Sequence, residues 1–170
     1  MEIGNGVLTT DESYSHMALW SLSKAPLILG CDVIDIDAET LSIATNLEVI
    51  AVNQDRLEGK GSGLGKCNAL SKKLAYPNPR RNDNNNPATI TSIWAGPLST
   101  GAMAVILLNE GNSTSMNITL RWSDIQLPDT TKAIVRDLWV RKDIGVFSSS
   151  FTATDIRPHA SRMLTLRPYS

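Results

Sequence analysis

The side chains of this chain that could do chemistry are few and scattered. His16 and His159 stand far apart in the sequence, and neither has a serine or carboxylate at a spacing that suggests a catalytic triad. His16 lies beside Met17 in a helical run, where a lone histidine serves packing, and His159 lies in a Pro-His-Ala turn. The two cysteines, Cys31 and Cys67, are too few by themselves to ligate a metal, so no metal and no cofactor is expected. Cys31 and Cys67 could instead close a loop of about 35 residues as a disulfide, or Cys31 could serve as a small hydrophobe. Among the carboxylates, Asp32 lies two residues beyond the apolar run Leu27-Ile28-Leu29-Gly30, Asp35 and Asp37 read as loop and cap residues, and Asp55 reads as a turn former.

The glycine-rich stretch Gly59-Lys-Gly-Ser-Gly-Leu-Gly-Lys66 invites a phosphate-loop reading, which the spacing rejects. A P-loop needs glycine five residues before its Gly-Lys pair and a hydroxyl after it, but position 60 is Lys and position 67 is Cys. A dinucleotide GxGxxG fails as well, because Lys66 or Asn68 stands where the third glycine should be. The stretch reads as a flexible linker. Asn112-Ser-Thr and Asn117-Ile-Thr are acceptable N-glycosylation sequons, which makes Asn112 and Asn117 candidate glycan acceptors in a secreted parent.

Charge excludes some partners. A formal net charge of -1 gives no electrostatic reason to expect nucleic acid or an anionic membrane surface. The apolar runs fall well short of the roughly 18 residues that span a bilayer. No charged, apolar, then small-residue pattern of a signal peptide stands at the N-terminus.

The elements that must position these groups change character along the chain. From Ser15 to Asp55 the pattern is helix, buried strand, loop and helix, the grammar of a parallel β/α unit. Tyr14, Met17, Ala18, Ser21, Leu22 and Ala25 recur at helical spacing, and Thr9-x-x-Glu12 is a capping box, so a helix is expected from about Thr10 to Lys24. Pro26 stops it. The run Leu27 to Gly30 without polar alternation predicts a strand covered on both sides. Asp37 is placed to cap the next helix, Asn46 to stop it, and Glu48 to Asn53 to add one more apolar turn.

Three motifs in this stretch, Ser15-His-x-Ala-Leu-Trp20, Lys24-Ala-Pro-Leu with Gly30-Cys-Asp32, and Glu48-Val-Ile-Ala-Val-Asn-Gln-Asp55, closely resemble the end of the catalytic barrel in family 27 glycoside hydrolases, chiefly the α-galactosidases. Upstream, Met1 to Gly6 looks like the strand and turn before that helix. Downstream, the segment from Val135 to Phe147 looks like the family's C-terminal domain. The resemblance spans nearly the whole chain. It implies a retaining glycosidase acting on terminal α-D-galactosyl groups of oligosaccharides or glycoconjugates, by way of two aspartates at the ends of barrel strands four and six. Because the chain opens at what resembles strand seven, those aspartates and the sugar-binding positions are expected upstream of Met1, and the chain is expected to be inactive alone. In such a barrel Asp32 lies on the side of the active site, which makes it the candidate substrate-binding residue. Its other reading is structural, ordering the loop through backbone N–H groups or pairing with Lys24. Which sugar the parent prefers, galactose, N-acetylgalactosamine or arabinopyranose, stays open.

Beyond Asp55 the sequence divides twice more. Residues 58–90 form a Gly/Pro/Asn-rich linker with a first strand at 69–75. From Thr91 the period is two, with expected strands at Thr91 to Gly96, Met103 to Asn109, Ser115 to Trp122, Lys132 to Val140, Val146 to Thr154 and Ser161 to Leu166. Lys142 to Gly145 is among the expected turns. Ala104 to Leu108 is wholly apolar and is placed centrally, and Trp94, Trp122 and Trp139 are assigned to packing. The fold class is therefore mixed: the last two β/α units of a (β/α)8 barrel over 1–57, then an antiparallel Greek-key sandwich over 91–170. The alternative to an enzyme part is a carbohydrate-binding or structural β-sandwich module that is not catalytic.

Overall fold

In the structure, a computed structural model, residues 1–56, 74–76 and 91–169 are described. Three helices come first, α1 (Thr10–Leu22), α2 (Ala38–Ala44) and α3 (Leu47–Gln54). Eight strands follow: β1 (Leu74–Tyr76), β2 (Thr91–Pro97), β3 (Met103–Asn109), β4 (Met116–Arg121), β5 (Lys132–Asp137), β6 (Lys142–Ser148), β7 (Ser150–Ile156) and β8 (Ser161–Pro168). β1 shares Leu74 and Ala75 with the strand expected at 69–75, and the rest of that stretch and of the linker lies outside the described residues.

The caps form as the sequence implies. Thr9 and Glu12 exchange hydrogen bonds in a capping box at the start of α1, and Asp37 Oδ1 accepts from the N–H groups of Glu39 and Thr40 at the start of α2. Asn46 does more than end α2. Its Oδ1 caps α3 through Glu48 and Val49, and its Nδ2 donates to the carbonyl of Leu138 at 3.0 Å in the β domain.

The strands make two antiparallel sheets, one of six in the order β1-β2-β3-β8-β5-β6 and one of two, β4-β7. The apolar run of β3 is explained by its place. It lies between β2 and β8 and is covered on both faces. Val105 and Leu107 face the small sheet, where they join Leu120, Trp122, Val135, Leu164 and Leu166. Ala104, Ile106 and Leu108 face the helices, where they join Met17, Leu22, Val49, Val52 and Met163. One strand with a period of two thus serves two cores, and the molecule has three layers: small sheet, large sheet, helices.

The fold departs from the sequence reading at three places. Leu27 to Gly30 is not a doubly covered strand, and Ile28 is 71% exposed. Ile28 N–H donates to the Pro26 carbonyl at 3.0 Å, and the segment also bonds Met1, whose amine donates to the carbonyl of Ile28 at 2.7 Å and whose carbonyl accepts from Gly30 N–H at 3.3 Å. One residue bonded to positions j−1 and j+1 of a neighbour is the unit of a parallel ladder, here one bridge long. Second, Val146 to Thr154 is two strands. Ser149, at φ 62°, breaks the run, so β6 pairs with β5 in the large sheet and β7 pairs with β4 in the small one. Third, Lys142 to Gly145 lies in β6 and the turn comes earlier, at Leu138 to Arg141. There Asp137 Oδ1 accepts from Trp139 and Val140 N–H, and Arg141 takes φ 57°.

Candidate functional site

The candidate end of the molecule is built from the Met1 segment, the turn at Gly4 and the loop after Gly30. Gly4 adopts φ 83°, and a Cβ there would lie 2.9 Å from Cys31 Cβ and 3.0 Å from its sulfur. The cysteine side chain therefore fills the space that the glycine leaves, as a small hydrophobe would. A disulfide to Cys67 falls outside the described residues.

Asp32 follows at the surface. Its Oδ1 accepts from Ile34 N–H at 2.9 Å, which orders the loop as one of the two readings expected. Lys24, offered there as its partner, goes elsewhere. It donates to the carbonyls of Val52 and Asp55 and lies 3.8 Å from the Asp55 carboxylate. Burial pushes the Lys24 ammonium pKa down, and Asp55 opposes that shift.

The other titratable candidates are occupied with structure. Glu12 is held below the usual carboxylate range by the backbone N–H and then the hydroxyl of Thr9, and Asp37 by the hydroxyl and then the N–H of Thr40. An acid that protonates a glycosidic oxygen needs the opposite shift. His16 accepts from Glu2 N–H at 3.4 Å and stacks on Trp20, and burial lowers its pKa, so it is a neutral acceptor. The carbonyl of His159 accepts from Ser15 Oγ at 2.7 Å, a contact of the main chain. Among the described residues no cluster of His, Cys, Asp and Glu could hold a metal. No described helix is long and apolar enough to cross a membrane.

Asn112 and Asn117 lie in the β domain. Asn112 is exposed in the bend between β3 and β4, and Asn117 is exposed within β4, its Oδ1 accepting from Asp155 N–H at 3.0 Å. The groups that the sequence did not reveal are those joining helices to sandwich. Asp55 accepts from Ser99 N–H at 3.0 Å and from Ser99 Oγ at 2.6 Å, Glu48 receives Arg136, and Asp11 pairs with Arg157 at 2.7 Å. Each joins residues more than forty positions apart, beyond any local pattern.

Residues 1–55 match the family described as "Alpha galactosidase A", and residues 89–166 match the "Alpha galactosidase C-terminal beta sandwich domain". A protein of Dictyostelium discoideum named "Probable alpha-galactosidase" is 41% identical over 169 residues, which is 99% of this chain and 39% of that one. The crystal structure of α-galactosidase I from Mortierella vinacea superposes with a TM-score of 0.74 at 33% identity, over 97% of this chain and 37% of that one. A GH27 β-L-arabinopyranosidase from Geobacillus stearothermophilus superposes with a TM-score of 0.69 at 26% identity, over 95% and 31%. The chain thus spans less than two fifths of the length of each. Its helical end with one parallel bridge and its two-sheet domain correspond to two successive parts of one known architecture, and the chain belongs to the α-galactosidase family, glycoside hydrolase family 27.

Proposed function

We propose that these 170 residues form the C-terminal part of a retaining α-galactosidase that hydrolyses terminal α-D-galactosyl groups of oligosaccharides or glycoconjugates. The observation that carries the reading is full-length similarity to α-galactosidases, 41% identical across 99% of the chain, with both parts in the same order. In this reading Met1 to Ile3 and Leu27 to Gly30 belong to neighbouring staves of the barrel, and the sandwich braces the barrel from outside through α1 and α3.

Double displacement at a sugar needs two carboxyl groups about 5–5.5 Å apart, one as nucleophile and one as acid and base. The reading assigns both to the preceding six β/α units and none to this chain. Asp32, at the end of the last stave, is the residue here with a path to substrate, as a hydrogen-bond acceptor for a hydroxyl. The parent is read as a secreted glycoprotein carrying glycans at Asn112 and Asn117. Loss of mass on treatment with a peptide N-glycosidase, abolished by Asn112→Gln with Asn117→Gln, tests that part.

The activity is tested by extending the reading frame upstream of Met1 and following the anomer of galactose released from an aryl α-galactoside by NMR. Release of the α-anomer first is expected. Release of the β-anomer, or no release from the extended protein, overturns the assignment. Calorimetric binding of galactosides by the 170-residue chain would favour the non-catalytic binding module instead.

A further inference from the structure

Asn5 and Gly6, both exposed, follow each other in the bend that leads from the Met1 segment to α1, and they are the only Asn-Gly pair in the sequence. An asparagine amide can be attacked by the main-chain nitrogen of the next residue, and any side chain on that residue obstructs the approach. Gly6 offers no obstruction. It takes φ 73°, and even a Cβ built there would meet nothing within 4 Å. Its N–H has no hydrogen-bond partner among the described residues, so it is free to give up its proton. The other described asparagines are held back. Asn46, Asn53 and Asn109 are buried, and their side-chain amides donate to main-chain carbonyls. Asn117 precedes the β-branched Ile118 within β4, and Asn112, though exposed, precedes Ser113.

We propose that Asn5 is a site of spontaneous deamidation, with water as the only co-reactant. Gly6 N, after losing its proton to solvent base, bonds to Asn5 Cγ; the Cγ–Nδ2 bond breaks and ammonia leaves, which closes a succinimide. Water then opens the ring at one carbonyl or the other, giving aspartate or isoaspartate, with nothing oxidised or reduced. Both products spoil the turn. Asn5 Nδ2 donates to Glu2 Oε2 at 2.8 Å, and Asn5 N–H donates to the Glu2 carbonyl at 3.3 Å. Aspartate sets a second carboxylate against that of Glu2 where a donor stood. Isoaspartate adds a carbon to the main chain next to Gly4, whose backbone is already packed against Cys31. The modification therefore loosens the end of the molecule built from Met1, Gly4 and the loop after Gly30. The inference does not rest on the hydrolytic reading.

The test is to age the purified 170-residue chain at mildly alkaline pH, map its peptides by mass, and count isoaspartate by methyl transfer from a labelled donor with a protein L-isoaspartyl methyltransferase. A gain of about 1 Da at Asn5 is expected before any other described asparagine converts, as amide gives way to acid. Methyl incorporation should fall in Asn5→Gln. Conversion of Asn5 in the native chain should be no more than about 10-fold slower than in urea, which is what one hydrogen bond to Glu2 can hold back. Stronger protection in the native chain overturns the proposal, as does conversion of Asn112 ahead of Asn5 or methyl incorporation unchanged in Asn5→Gln. Asn5→Asp, made directly, is expected to melt below wild type, and Glu2→Gln in that variant to recover part of the loss by giving the new carboxylate a donor. Melting of Asn5→Asp at the wild-type temperature overturns the claim that the product spoils the turn.

Discussion

Glu48 in α3 and Arg136 in β5, 88 positions apart, form a fork of two parallel hydrogen bonds, Nη2 to Oε1 at 2.7 Å and Nε to Oε2 at 2.8 Å. Arg136 also bonds Asp143 at 3.0 Å, and Asp143 in turn takes Arg167 at 3.1 Å. The fork and its continuation raise the Arg136 pKa and orient α3 across the large sheet. Arg136→Lys keeps the charge and loses the fork, so it is expected to lower the melting temperature nearly as far as Arg136→Ala does. Recovery of the wild-type melting temperature by the lysine variant would contradict this. Because the groups are partly exposed, the difference between wild type and either variant should shrink as salt is raised.

Ile106 and Leu107, adjacent in β3 and both fully buried, face different cores. Truncation to alanine is expected to cost about 2–5 kcal/mol at either position. The consequences should differ in place. Ile106→Ala is expected to raise hydrogen exchange in α1 and α3, and Leu107→Ala in β4 and β7. The same exchange pattern for both variants would contradict the three-layer arrangement.

The acid response follows from the caps. Asp37, in its cap with Thr40, has a folded pKa below its ordinary 3.8, and Glu12, in its box with Thr9, one below 4.5. Between the folded and ordinary values the unfolded chain binds more protons, so each group's contribution is complete above the ordinary pKa and is lost as pH falls through the folded one. Asn caps a helix about as well as Asp but does not titrate there. Asp37→Asn is therefore expected to leave stability near neutral pH almost unchanged while flattening the acid limb of the stability profile. An unchanged acid limb would contradict the cap assignment.

Gly4 and Gly6 separate backbone strain from crowding. Both have positive φ, 83° and 73°, but a Cβ at Gly4 collides with Cys31 while one at Gly6 meets nothing within 4 Å. Gly6→Ala is expected to cost about 1–2 kcal/mol from the left-handed backbone alone. Gly4→Ala should cost more, and Cys31→Ala should not recover the whole excess, because the Cys31 Cβ is itself the nearest atom. Equal costs at the two positions, read from denaturant unfolding, would contradict the packing of Cys31 on Gly4.

The sequence made legible whatever is decided within one turn or one strand. The Thr9–Glu12 box, the Asp37 cap and the central place of Ala104 to Leu108 all follow from neighbours in the chain. Where two strands run on without a glycine or proline between them, local pattern fails. The corner at Ser149, between β6 and β7, is marked by a backbone angle and by no glycine or proline. The motifs identified the candidate end, yet its details depend on distant pairs. Asn46 reads as a helix stop until Leu138 supplies its second bond, and Asp55 reads as a turn residue until Ser99 and Lys24 arrive.

In the proposed function these residues brace and complete a galactosidase without supplying its acids. The most direct measurement is release of nitrophenolate from 4-nitrophenyl α-D-galactopyranoside by the purified 170-residue chain. Release equal to that of buffer alone is the expected result. Turnover that scales with the chain's concentration and disappears in Asp32→Asn would contradict it.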